Sequence, residues 1–182
     1  KLVERGQSVM VDESTTCLHL APLLPARGPI TLITPSLALI RALAGEPGID
    51  LIALGGLYYP AYDAFLGLRT AESIRSLRAD MVLMSTTAIT EGFCYHQSQE
   101  TIMVKRALME AAALRILLVD HTKFRQRGLF QLAPLTDFNL VIVDRGTDEQ
   151  DAAEVRDFGA VVHIAGTESA EGRELFDLLV PR

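Results

Sequence analysis

Short apolar runs alternate with amphipathic stretches along most of the chain. Val9-Met10-Val11 leads into Asp12-Glu13-Ser14-Thr15-Thr16, followed by Cys17, Leu18, Leu20, Ala21, Leu23 and Leu24 at helix-like spacing. That order predicts a strand, a tight turn and a helix capped by Ser14 or Thr15. Ile30 to Thr34 is a second buried strand, closed by Pro35, with Ser36 starting a helix over 37–44. Ile49 to Leu54 is a third strand, stopped by Gly55-Gly56. Leu57 to Phe65 holds three tyrosines and one proline, which suits an edge strand or a hairpin. Gly67 precedes a helix with Leu68, Ala71, Ile74 and Leu77 on one face. Met81 to Met84 is a fourth strand, and it empties into Ser85-Thr86-Thr87.

The second half repeats the theme. Residues 91–99 are polar, contain Gly92 and predict a loop able to cover a pocket. Residues 100–114 form the strongest helix, with Val104, Ala107, Leu108, Ala111 and Ala112 facing inward. On this pattern Lys105 and Arg106 fall on its solvated side. Arg115 to Asp120 is the next strand, with His121-Thr122-Lys123-Phe124 as its exit. Leu140 to Asp144 is another, Asp148 begins a helix, and Ala160 to Ala165 is a last short strand. The tail from Thr167 is polar, then amphipathic through Leu175, Phe176, Leu178 and Leu179. Lys1 to Gly6 resembles the last helical turn before a C-terminal glycine, as in a piece cut from a longer protein. The alternation predicts one α/β domain over residues 1–182, a largely parallel open sheet flanked by helices.

Composition narrows the function classes. The chain has 182 residues, 49% of them hydrophobic, and no apolar run nears the roughly 20 residues that span a bilayer. No membrane partner is therefore expected. Net charge is −6, which disfavours a duplex-binding face. Two distant cysteines, Cys17 and Cys94, make no disulfide framework and fit a reducing, cytoplasmic compartment. Cys94-x-His96 has no zinc-site spacing, no Gly-x-Ser-x-Gly elbow is present, and Gly55-Gly56 lacks dinucleotide spacing. Neither metal, cofactor nor catalytic residue is assigned.

What repeats is the chemistry at strand ends. Asp12 to Thr16, Thr34 to Ser36, Ser85 to Thr87 and Asp120 to Lys123 place hydroxyls, backbone N–H groups and one lysine where open α/β sheets bind ligands. Such a mouth suits an anionic, hydroxyl-rich small molecule such as a sugar phosphate.

Taken together these motifs resemble the effector-binding domain of DeoR-type bacterial transcription regulators, over about residues 2–166. The resemblance rests on Val11-Asp12-Glu13-Ser14-Thr15-Thr16, Thr34-Pro35-Ser36, Gly55-Gly56 and Gly67. It continues through Glu100, Lys105 and Ala107-Leu108-Met109, Asp120-His121-Thr122-Lys123-Phe124, and Leu135-Thr136-Asp137-Phe138 up to Val143-Asp144. It implies a fold similar to ribose-5-phosphate isomerases and CoA transferases, and a non-enzymatic role. The expected partner is a small-molecule effector, a phosphorylated sugar or related metabolite. DNA would be contacted only through an N-terminal helix-turn-helix domain absent from this chain, and the assembly would be a homo-dimer or homo-tetramer. The implied ligand-binding residues are Asp12, Ser14, Thr15, Thr16, Thr34, Ser36, Gly55, Gly56, Ser85, Thr86, Thr87, Glu100, Lys105 and Lys123, with Asp12 taking sugar hydroxyls. Glu13 and Pro35 depart from the family pattern, where small and Asn residues are usual, and Arg125 stands where Gly is common. A sugar acid, a polyol or an unphosphorylated sugar therefore stays open as effector. Two other functions compete: a sugar-phosphate isomerase-like enzyme, and an oligomerisation domain with a degenerate pocket.

Overall fold

A computed structural model describes residues 2–166. The amphipathic tail from Thr167 lies outside the described residues. Seven strands build one sheet: β1 (Ser8–Val11), β2 (Ile30–Thr34), β3 (Ile49–Ala53), β6 (Ala79–Met84), β9 (Ala112–Val119), β11 (Leu140–Val143) and β12 (Val162–Ile164). Their order across the sheet is β12-β11-β9-β6-β1-β2-β3, and every pairing is parallel. Flanking helices are α1 (Thr15–Leu18), α2 (Leu37–Leu43), α3 (Leu68–Arg75), α4 (Gln99–Ala111) and α5 (Glu149–Asp157). This is the α/β fold expected from the alternation of apolar runs.

The strands look uniformly apolar in sequence because both faces are covered, yet their side chains still alternate. Met10, Val82, Met84, Leu117 and Val119 join one core with Ile74 of α3, Leu108 of α4 and Val155 of α5. Val9, Val11, Met81, Leu83 and Ile116 face the other core with Cys17, Leu39 and Leu43. A fully buried side chain of this size contributes about 1.5–3 kcal/mol through loss of apolar surface to water, so the two clusters hold the strand ends in register.

Several local expectations need correction. Helix α1 lasts a single turn, because Pro22 and Pro25 lack the N–H a helix needs. The chain continues there as two 3-10 turns, Ala21–Leu23 and Pro25–Arg27. The segment before Ser8 is no helix end: Gly6, at φ +85°, makes a turn in which the Gln7 N–H meets the Glu4 carbonyl at 3.4 Å. Residues 91–99 are not a loop. β7 (Ala88–Thr90) and β8 (Phe93–His96) form a hairpin through Glu91 (φ +50°) and Gly92 (φ +77°). Two consecutive positive φ values make a turn that matches strand twist. β10 (Phe130–Pro134) completes this as a three-stranded antiparallel sheet. β4 (Leu57–Tyr59) and β5 (Ala64–Leu66) are the hairpin admitted as one option for 57–65. The strong helix stops at Ala111, and Ala112 already belongs to β9. Leu68 is exposed, leaving Ala71 and Ile74 as the buried face of α3. No helix among the described residues is long and apolar enough to cross a membrane.

Candidate functional site

Because the sheet is parallel, the exits of β1, β2, β3, β6 and β9 all lie on one edge. β6 separates β1 from β9, so the Ser14 and Lys123 turns leave that edge two strand spacings apart, about 10 Å. They lean toward different faces of the sheet: Cys17 of α1 joins the core of Leu39 and Leu43, and Phe124 beside Lys123 packs on the core of Leu108.

The centre of this edge is a buried ionic cluster. Asp12 is fully buried, and both of its oxygens are occupied by the protein. Oδ1 accepts from the Ser14 N–H at 3.0 Å and the Ser14 hydroxyl at 2.6 Å. Oδ2 accepts from the Ser85 N–H at 2.8 Å and from the Lys105 ammonium. Asp12 therefore staples the β1 exit to the β6 exit, a correction to its expected role as receiver of sugar hydroxyls. Lys105 Nζ also reaches Glu13 Oε1 at 3.1 Å and donates to the Ser85 carbonyl at 3.2 Å. Its side chain is 1% exposed, so its placement on a solvated helix side is also corrected.

The electrostatics follow from burial against pairing. Burial alone would push the Lys105 ammonium down, but the adjacent Asp12 and Glu13 charges outweigh it and hold the group protonated. Burial likewise opposes ionised Asp12. The Lys105 charge, with hydrogen bonds from Lys105, Ser14 and Ser85, overcomes it and leaves the carboxyl below its ordinary range. Glu13 goes the other way: burial raises it, the Lys105 charge only partly compensates, and Asp12 repels a second negative charge. One ammonium thus faces two carboxylates, and Glu13 is the less satisfied. Both cysteine thiols are pushed up by burial, Cys94 to about 12, and stay neutral.

Around this centre the other expected residues divide. Ser14 caps α1 by accepting from the Cys17 N–H at 3.2 Å, with Thr15 and Thr16 in the turn beyond it. Thr34 and Ser36 are buried: Thr34 Oγ1 accepts from the Ser36 N–H at 3.1 Å, and Ser36 Oγ caps α2 at Leu39. Gly55 gives its carbonyl to Thr70 Oγ1 at 2.9 Å, and a Cβ on Gly56 would collide with that same hydroxyl. Thr86 donates to the Tyr95 carbonyl at 2.8 Å, and the Thr87 N–H meets the same oxygen at 3.1 Å. These two residues tie β6 to the small sheet. Glu100 accepts from Ser98 Oγ, at the start of α4. Lys123 is 18% exposed, stands in the 3-10 turn His121–Arg125 and pairs with Asp120 at 3.5 Å. Arg125 anchors that turn to α5 through Asp151 at 2.8 Å and Asp148 at 3.1 Å. A cavity of about 480 Å³ opens beside Tyr95, Phe124, Arg125 and Arg127, and Thr90 of the β7–β8 hairpin lines it. Neither Ser14 nor Lys123 lines it.

Sequence reasoning missed His96 and Thr101. His96 is buried, its Nδ1 accepts from the Ser98 N–H at 3.1 Å, and its ring lies 5.5 Å from Tyr62. Thr101 stands one helical turn before Lys105 on the same buried face. That spacing was the available signal: 101, 104, 105 and 108 form one stripe. Burial, then the Lys105 charge, push the His96 imidazole from 6.5 to about 4. Between those pH values the unfolded chain binds a proton that the folded chain excludes, so stability falls as pH drops through the window. Asp12 acts in the same direction and Glu13 against it. Urea denaturation at pH 6.5 and 4.5 is expected to show His96→Asn losing about 2 kcal/mol less than the parent. Equal losses would remove His96 from the acid response.

Residues 1–145 match the family model described as the DeoR C terminal sensor domain. The "L-fucose operon activator" of Haemophilus influenzae is 32% identical over 145 residues, covering 79% of this chain and 58% of the relative. The "HTH-type transcriptional repressor GlcR" of Bacillus subtilis is 31% identical over 173 residues, covering 95% and 66%. The "Transcriptional repressor AccR" of Agrobacterium fabrum is 27% identical over 148 residues, covering 80% and 57%. The chain spans less than two thirds of the length of each of these relatives.

Proposed function

Since the chain belongs to the DeoR C-terminal sensor-domain family, we propose that it is the effector-sensing part of a bacterial transcription regulator and binds a phosphorylated sugar or related carbohydrate at the strand-end edge. The observation that carries this reading is the Asp12–Lys105–Ser85 staple. It fixes two adjacent strand exits at the centre of that edge, with the Ser14–Thr16 turn on one side and the Lys123 turn on the other. A relative named for an L-fucose operon supports the carbohydrate class.

The isomerase-like alternative is weakened by the same geometry. Aldose–ketose isomerisation needs a base free to take a carbon-bound proton. Asp12 is saturated by four donors, and Glu13 shares the Lys105 charge. DNA would be contacted by a further domain of the whole protein, in an assembly of two or four copies. Coupling of about 1–3 kcal/mol between effector and DNA sites is enough for regulation.

A thermal-shift screen of pentose and hexose phosphates and their free sugars tests the reading. A ligand at about a hundred times its dissociation constant adds roughly 2.7 kcal/mol, and a sensor returns it unaltered. A screen without a stabilising sugar would favour the oligomerisation-domain reading, and a converted sugar the enzyme. Lys123→Ala is expected to weaken the bound phosphate by about tenfold or more, the scale of one hydrogen bond to a charged group, with unchanged unfolding. Unchanged affinity by calorimetry would take Lys123 out of the site.

A further inference from the structure

Three buried polar atoms lack a hydrogen-bond partner around Lys105. They are Glu13 Oε2, Ser85 Oγ and Thr101 Oγ1. Glu13 and Ser85 both touch the Lys105 ammonium, through Oε1 at 3.1 Å and the Ser85 carbonyl at 3.2 Å. Thr101 lies four residues before Lys105 on α4, and a helical side chain leans back over the preceding turn. All three residues are more than nine-tenths buried. Buried polar groups of folded proteins are ordinarily paired, so three unpaired ones, on two residues that touch Lys105 and on one a helical turn before it, mark a place built for a hydrogen-bonding visitor.

The chemistry of that visitor is set by the groups present. Glu13 Oε2 accepts and cannot donate while ionised, and the two hydroxyls do either. The cluster holds two carboxylates against one ammonium, an excess of negative charge. A neutral hydroxyl fits: it donates to Glu13 and accepts from Ser85 or Thr101. A second anionic group does not fit, because it would face Glu13 and Asp12, which already share the Lys105 ammonium between them.

We propose that Glu13, with Ser85 and Thr101, determines effector specificity by taking a neutral hydroxyl of the carbohydrate and rejecting a second anionic group at that end. The assignment rests on the effector reading above. It narrows the ligand class to sugars with one anionic end, and excludes bisphosphates and phosphorylated sugar acids.

The test pairs ligands that keep the ring and differ only at the far end: glucose 6-phosphate against glucose 1,6-bisphosphate, and fructose 6-phosphate against fructose 1,6-bisphosphate. Calorimetry on the intact chain is expected to favour the monoanionic-ended member of a binding pair by at least about tenfold, a common scale for like-charge exclusion. Glu13→Gln keeps the shape and removes the charge, so the gap should shrink several-fold. Ser85→Ala should weaken the member with a far-end hydroxyl several-fold and leave the doubly anionic member unchanged, a readout that stands should Glu13→Gln fail to fold; equal weakening of both removes Ser85 from the assignment. A parent chain that binds both members equally, or prefers the doubly anionic one, overturns the assignment. So does a folded Glu13→Gln chain with the parent's gap. If no member of the panel and no free sugar binds, the effector reading itself falls and takes this assignment with it.

Discussion

Lys105→Met is expected to be the most damaging single change at the strand-end edge, costing about 3–5 kcal/mol of stability, the usual penalty for removing one partner of a buried ion pair. Methionine fills nearly the same volume, so the loss is electrostatic. Asp12 and Glu13 would be left facing each other with no cation, and the Ser85 carbonyl would lose its donor. The pH response should invert with it. In the parent, Asp12 has a lowered carboxyl, so its contribution is present at neutral pH and lost as pH falls. In Lys105→Met both carboxyls are raised by burial and mutual repulsion, and acid relieves the strain. Urea denaturation at pH 7 and pH 4.5 should therefore show the variant's deficit shrinking on acidification. A deficit that grows would mean that the ammonium is not what balances the carboxylates. Adding Asp12→Asn and Glu13→Gln to the variant should recover part of the loss at pH 7.

Leu108→Ala should cost about 2–5 kcal/mol, since it empties space in a close-packed core that relaxes only partly. Leu108 is fully buried on α4, one turn beyond Val104, and its cluster includes Val82, Met84 and Leu117 of the sheet. At about 2–4 °C per kcal/mol for a domain of this size, the melting temperature should fall visibly. The same helix carries Thr101 and Lys105. A loosened α4 should also weaken effector binding, although Leu108 touches no residue of the ionic cluster through a polar atom. A melting temperature within a degree of the parent would show that α4 is held by other contacts.

The parallel sheet was legible because its strands are short, wholly apolar runs bounded by Gly, Pro or hydroxyl residues. The antiparallel sheet was not. Glu91 is an unusual residue for a hairpin turn, and it hid the one between β7 and β8. No element was read over Phe130–Pro134, where a strand ends on a proline. At the candidate site, Asp12, Ser14, Ser85 and Lys105 were each named from motif order, and the structure brings them into contact. Their division of labour was invisible. Asp12 looks free in sequence because its four donors come from positions up to 93 residues away. Lys105 looked solvated because a lysine on a helix usually is, and only the partners on β1's exit make its burial tolerable. His96 gave no signal at all, since its environment is assembled by Tyr62, Ser98 and α4 from separate elements.

Strand β1 precedes the other six strands of its sheet in the chain yet lies inside that sheet, between β6 and β2. Its partner on one side, β2, follows promptly, but β6 is paired to it across a gap of 72 residues, as Ser8 and Asp80 mark. A nascent chain must therefore keep one flank of β1 uncovered until β6 has been made, nearly half-way along the 182 residues. Distant pairing of this kind slows folding, and Ser8, whose N–H and hydroxyl both wait for the Asp80 carboxylate at 2.7 Å, dates the moment at which that flank closes.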